Sequence, residues 1–238
     1  MQLLKKGIEQ LIVQLRKLQY IVIKPQKKSF LHKNVPYYSQ WESRSLVSKF
    51  LNHELSPQKD PRWRYSGAAI KEEYELWSWN ACGMACLKSI LAKELKKVVP
   101  IVTLGKKCMQ YGGYRSSTKK GDIQGLFYEP FLKFIQKEFG LNGSIASPMI
   151  LEEIVYQLSR KNYVIASVSP EIRNPEKKST KHGGHLVLVL GYDLKRELLY
   201  LHNPSGIGKT QSYTEITFFN FQKFFAGRGI LILGKKVV

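Results

Sequence analysis

Acidic residues are scarce in this chain: 18 Asp and Glu stand against 38 Lys and Arg, a formal net charge of +20 over 238 residues. Cysteine is scarcer still, with three in all. An odd number this small excludes a closed disulfide framework, and a reduced, cytoplasmic setting is the simpler expectation. Long apolar runs are missing too. The longest uncharged stretch, Phe139–Leu151, holds thirteen residues with a proline and two glycines, whereas a spanning helix needs roughly 20 mostly apolar residues. No transmembrane segment is expected. Signal-peptide character is also absent, because Glu9, Arg16 and Lys17 interrupt the apolar residues after Lys5 and Lys6.

What is present argues for a folded domain. Hydrophobic residues make up 43% and aromatics 12%, too many for a chain kept open by its own charge. The length suits one large domain, or one with an appendage. Near the start, Leu4, Ile8, Leu11, Leu15 and Leu18 recur at steps of three and four, one face of an amphipathic helix. Residues 1–34 carry eight basic side chains against Glu9 alone. Such a segment could meet an anionic surface or an acidic partner, or simply pack on the domain with its basic face in water. Aromatic residues that would interleave with single-stranded nucleic acid are sparse, and no specific nucleic acid is expected. The expected division is a basic helix and extension over 1–33, then a domain over 34–238.

Further on, Asn34–Gln40 (NVPYYSQ) reads as a short edge strand and Trp41–Leu55 as a helix with Leu46, Val47, Phe50 and Leu51 inward. Arg62–Gly67 and Gly112–Gly121 read as loops, and Ala69–Trp77 is ambiguous. Helical patterns cover Cys82–Leu95, Phe127–Phe139 (closed by Gly140) and Ile150–Leu158. The period then changes to strands at Asn162–Val168, His185–Tyr192 and Leu198–His202, followed by a short helix at Thr217–Phe225 and a last strand at Ile230–Leu233. Helices first and strands second predict an α+β fold with an antiparallel sheet.

Chemistry concentrates at a few positions. Cys82 falls at a helix start, where free backbone N–H groups and the helix dipole would favour its thiolate and lower its pKa. A hairpin around Asp193–Arg196 pairs residues whose numbers add to about 389, so His185 and Asn203 should meet at its open end. The Asn203 carboxamide could then fix the tautomer of His185 and aim its other ring nitrogen at a thiol. Cys86 sits one turn after Cys82 and reads as core, and Cys108 has no evident partner. His182 with His185, or Cys82 with Cys86, falls short of a zinc signature. GIGKT at Gly206–Thr210 lacks the first glycine of a phosphate loop. Neither metal nor cofactor is expected.

VPYYSQ at Val35–Gln40, NACGMACLKSIL at Asn80–Leu91, GGHLVLVLGYD at Gly183–Asp193 and LHNPSG at Leu201–Gly206 together resemble the C39-like peptidases, a branch of the papain-like cysteine peptidases. The resemblance implies a papain-like α+β fold, with Cys82 as nucleophile, His185 as general base and acid, and Asn203 as the orienting group. It also implies Gln40 as a side-chain donor to the oxyanion, and a peptide or protein substrate. The forty or so residues between Gln40 and Cys82 exceed the family's spacing and imply an inserted segment there. Acyl transfer on the same triad and a non-catalytic peptide-binding module are the alternatives. Pro170–Lys181, with Arg173, Lys177, Lys178 and Lys181, reads as a solvated loop; as a rim over the cleft it would attract acidic peptides.

Overall fold

A computed structural model describes residues 2–23, 25, 27–117, 122–176, 179, 180 and 182–234, without the side chains of 2–6, 9 and 21. The elements are α1 (Gln2–Val22), β1 (Ser29–Leu31), α2 (Val47–Leu51), α3 (Lys71–Asn80), α4 (Cys82–Glu94), α5 (Ile101–Gln110), β2 (Tyr114–Ser116), β3 (Ile123–Gly125), α6 (Tyr128–Phe139) and β4 (Gly143–Ala146). They continue with α7 (Leu151–Ser159), β5 (Tyr163–Val168), β6 (His185–Asp193), β7 (Leu198–His202), β8 (Thr214–Thr217), α8 (Phe218–Phe224) and β9 (Phe225–Ile232). The α+β class with an antiparallel sheet is as the sequence implies.

Among the described residues the main sheet runs β4-β9-β5-β6-β7-β8, antiparallel throughout, with β1 on the edge of β6 beyond the end of β5. Its central strands are buried on both faces, which is why they read as near-continuous aliphatic runs. Leu186, Leu188 and Leu190 of β6 join Met84, Leu87, Ile90 and Leu91 of α4 and the apolar face of α6 in one core. Val187 and Val189, one residue out of phase, join Ile154, Val155, Leu158, Phe221 and Phe224 from α7 and α8 on the other face. The period of two along β6 thus divides the molecule into two helical layers.

The N-terminal third departs most from expectation. Asn34–Gln40 forms no strand: Asn34 lies in a turn at φ +57° and Val35–Ser39 has no regular structure. Its polar groups instead bind the segment after β7: Val35 O receives His202 Nε2 at 3.0 Å, Tyr37 Oη donates to Asn203 O at 2.9 Å, and the N–H of Gln40 donates to Pro204 O at 3.0 Å. The helix expected over Trp41–Leu55 shrinks to a 3-10 turn and α2; Val47 and Phe50 are buried as expected, but against Trp41 in a small separate cluster. Asp60 organises this stretch. Its carboxylate accepts from Ser43 N and Oγ, Arg62 N and Tyr74 Oη, and a fully enclosed acid of this kind requires such donors. Arg62–Gly67 contains a 3-10 turn over Trp63–Ser66, and Gly112–Gly121 contributes β2, which pairs with β3; residues 118–121 lie outside the described residues.

Helix α1 docks on α7 through Arg16–Glu153 at 2.7 Å and the rings of Tyr20 and Tyr156, 5.4 Å apart. Its apolar stripe is not the docked face: Leu11, Leu15 and Leu18 are 57–60% exposed. The expectation that these leucines pack inward is corrected, because Arg16 and Tyr20 lie on the opposite side of the helix from them. Leu4, Lys5, Lys6 and Glu9 lie outside the described side chains, and Lys24 outside the described residues. No described helix is long and apolar enough to cross a membrane.

Candidate functional site

Cys82 opens α4, directly after Ala81 ends the preceding turn. It is partly buried, whereas Cys86 and Cys108 are buried. Gly83 follows because α4 starts hard against the sheet: a Cβ there would come within 2.8 Å of Leu126 and 3.0 Å of Leu186. That approach sets Cys82 beside the start of β6, where the backbone N–H groups of Leu186, Gly83 and Cys82 act to favour its thiolate. One turn along, Cys86 Sγ lies 3.8 Å from the Leu186 carbonyl.

Chain direction into β6 depends on Gly183 and Gly184, at φ of +84° and +92°, a region that side-chain-bearing residues resist. They deliver His185 at the first position of the strand, almost fully buried. His185 Nε2 is 2.8 Å from Asn203 Oδ1. Ser205 N and Oγ also reach Oδ1, at 3.1 and 3.3 Å. Three donors around one atom settle the orientation of the amide, and with it the tautomer: Nε2 carries the proton and Nδ1 keeps its lone pair.

The hairpin arithmetic brings His185 and Asn203 together as expected, with the register one to two residues beyond its centre. Leu188 faces His202, and a bulge between Val189 and Gly191 shifts the register. Continuing from Leu188 puts Ser205, not Asn203, opposite His185. Asn203 reaches the ring because β7 ends at His202 and the chain turns, with Gly206 N donating to Asn203 O at 2.9 Å. Ser205 is the residue the sequence reading missed. Its Oγ stands 3.0 Å from His185 Nε2, and the corrected register would have found it.

Gln40 enters the same corner from the other side. Nε2 donates to Ser78 O at 2.6 Å, near the end of α3, and the second hydrogen on that nitrogen remains for another acceptor. Its Oε1 is buried without a partner; exchanging the two atoms would set oxygen against the Ser78 carbonyl, so the orientation stands. A cation completes the surroundings. Arg173 Nε donates to Ser205 O at 3.0 Å and to Ser205 Oγ at 2.9 Å.

Burial dominates the electrostatics. It pushes the Cys82 thiol above its ordinary value, against the backbone N–H groups of Leu186, Gly83 and Cys82 and the charge of Arg173. Burial also holds His185 down to about 3, with Arg173 adding to the effect and Asn203 opposing it. The expectation of a thiol lowered by the helix start is therefore corrected. The donors are in place, but desolvation of the thiolate outweighs them. On these shifts the thiol and the imidazole are both uncharged near neutrality. His182 is exposed while His185 is enclosed, so their HxxH spacing does not put them on one site. Among the described residues no cluster of three His, Cys, Asp or Glu has metal-site geometry.

A family model described as "Peptidase_C39 like family" matches residues 32–229. No curated protein matches the chain. Two crystal structures are similar at low identity. A putative C39-like peptidase from Bacillus anthracis is 13% identical, with TM-score 0.46, covering 88% of this chain and all of that one. The peptidase domain of Streptococcus ComA, a bi-functional ABC transporter involved in a quorum sensing pathway, is 15% identical, with TM-score 0.42, covering 65% of this chain and 92% of that one.

Proposed function

The chain belongs to the Peptidase_C39 like family, and from that membership and the arrangement around Cys82 we propose a cysteine peptidase working through a Cys82 acyl-enzyme. In this reading residues 34–238 form the peptidase unit and residues 1–33 an appended helix and extension. The observation that carries it is the 2.8 Å contact between His185 Nε2 and Asn203 Oδ1, beside the helix start that presents Cys82.

Proton movements follow from the tautomer. His185 Nδ1 takes the thiol proton as the sulfur attacks the substrate carbonyl, and the imidazolium so formed is held by the Nε2–H bond to Asn203. The carbonyl oxygen gains charge, which the free N–H of Gln40 and the backbone N–H of Cys82 would stabilise. His185 then gives its proton to the leaving amine, leaving a thioester. Water, losing a proton to the same Nδ1, releases the acid and restores the thiol. The neutral resting pair implies that proton transfer accompanies attack rather than preceding it.

Labelling with a thiol-reactive peptide probe tests the reading. Wild-type protein should be modified at Cys82, as read by peptide mass spectrometry, and Cys82→Ala should lose both labelling and peptide hydrolysis. Wild-type protein that resists the probe and cleaves no member of a mixed peptide library would sink it. Adding an amine nucleophile and analysing products separates hydrolysis from acyl transfer.

A further inference from the structure

Arg173 is a partly buried cation joined to His185 through Ser205, and no described carboxylate pairs with it. The nearest acid in sequence, Glu171, is turned away. Its carboxylate accepts from Thr180 N at 2.8 Å, Thr180 Oγ1 at 2.6 Å and Ser169 Oγ at 3.0 Å. Meanwhile the Nε of Arg173 is fixed by both the carbonyl and hydroxyl of Ser205, the residue whose Oγ also touches His185. This tether holds the guanidinium by one edge and leaves its outer nitrogens, four N–H donors in a plane, uncommitted among the described residues. Taking a guanidinium out of water without an anion is costly. The cost is recovered when a carboxylate arrives, since the fork of an arginine matches that shape in two parallel hydrogen bonds.

We propose that Arg173 is the specificity-determining residue of the cleft, taking a substrate carboxylate next to the bond that Cys82 attacks. The inference rests on the reading of Cys82 as nucleophile. It is narrower than attraction by the basic rim at 170–181: Lys177, Lys178 and Lys181 lie outside the described residues, and the proposal rests on Arg173 alone. The carboxylate can be an acidic side chain or the free end of a peptide; both present the same two oxygens. Burial keeps His185 uncharged near neutrality, so the imidazole does not supply the positive charge.

Two small reagents of nearly equal shape make the test. Iodoacetate and iodoacetamide alkylate the same sulfur, and only the first carries a carboxylate. Alkylation of Cys82, followed by mass spectrometry at pH 7.5, should give an iodoacetate-to-iodoacetamide rate ratio ~10-fold above that of free cysteine, declining with added salt. Arg173→Gln should bring the ratio down to that of free cysteine, and Arg173→Lys should restore part of it. An unfolded Cys82 would also give the free-cysteine ratio, so the fold of each variant is checked by circular dichroism, and the partial recovery in Arg173→Lys is the result that unfolding does not imitate. A wild-type ratio equal to that of free cysteine overturns the proposal while leaving Cys82 a nucleophile. A Cys82 that resists both reagents overturns the proposal and the reading beneath it.

The source of the carboxylate is read from protection against iodoacetamide by three alanine-based tripeptides: one with a free C-terminus, one amidated with a central aspartate, one amidated and neutral. Stronger protection by the first or the second than by the third identifies the substrate class. Equal protection by all three, or by none, overturns it.

Discussion

Around His185, hydrogen bonds join segments far apart in the chain: residues 35–40, the end of α3, the turn at Arg173, and Asn203 to Ser205. Helix α1 is held differently. Its docking on α7 uses one ion pair and one ring contact, and its leucines face water. In the first region Asn203 Oδ1 and Ser205 Oγ are each shared among several partners, so removing one strands the others. In the second, apolar side chains are exposed to begin with, and altering them strands nothing. Energetic sensitivity follows the number of partners that depend on an atom rather than the hydrophobicity of the residue.

The sharpest test of this contrast is Asn203→Ala. It removes the acceptor of His185 Nε2, Ser205 N and Ser205 Oγ together. With the ring free to turn and its tautomer unfixed, kcat/KM should fall by on the order of 10²-fold or more, as measured on any substrate found with the peptide library. Ser205→Ala should lose less, because Asn203 still holds the ring. Equal losses in the two variants would mean that the amide is not the orienting group.

Acid should find the first region before the second. In the folded protein His185 lies near pKa 3 and His202 near 4, both lowered mainly by burial, while unfolding returns each to about 6.5. The unfolded chain therefore binds more protons in this window. The stability these groups contribute is complete above about pH 6.5 and is lost as pH falls toward 4 and then 3. Glu42 and Glu153, raised by burial, act in the opposite direction at the lower end. Imidazole resonances of His185 and His202 should remain those of neutral rings at pH 5; titration of either near 6.5 would remove the basis of this expectation.

Smallest of all should be the effect of Leu11→Ser or Leu15→Ser in α1. Each side chain is already mostly in water, so the urea midpoint should change by less than about 0.5 kcal/mol equivalent. A loss above about 2 kcal/mol would show that the stripe is covered in solution.

Much of the site was legible before the fold was known, for reasons that can be named. Two glycines before an aliphatic run fix where β6 begins, and His185 is the residue they deliver. Cys82 at a helix start follows from the apolar period of α4. The meeting of His185 and Asn203 needed only the hairpin centre. What escaped was set by contacts distant in sequence. Ser205 was missed because the hairpin centre lies one residue later than the turn residues suggest, an offset that the bulge only partly takes back. Tyr and Val content in 35–40 suggested a strand, yet these backbone groups bind the turn after β7 instead. Helix α5 went unread because Gly105 breaks its pattern; that glycine is required where the ring of Trp77 crosses, within 2.4 Å of where a Cβ would stand.

The sequence by itself determined the class of the fold and the alternation of burial along β6, because each depends on local periodicity, and it supplied the candidate thiol, imidazole and amide. Tertiary structure alone decided the burial of that thiol and imidazole, the placing of Ser205 between His185 and Arg173, and the outward face of α1. Those depend on how much water is excluded and which distant groups arrive, and no spacing along the chain encodes either quantity directly.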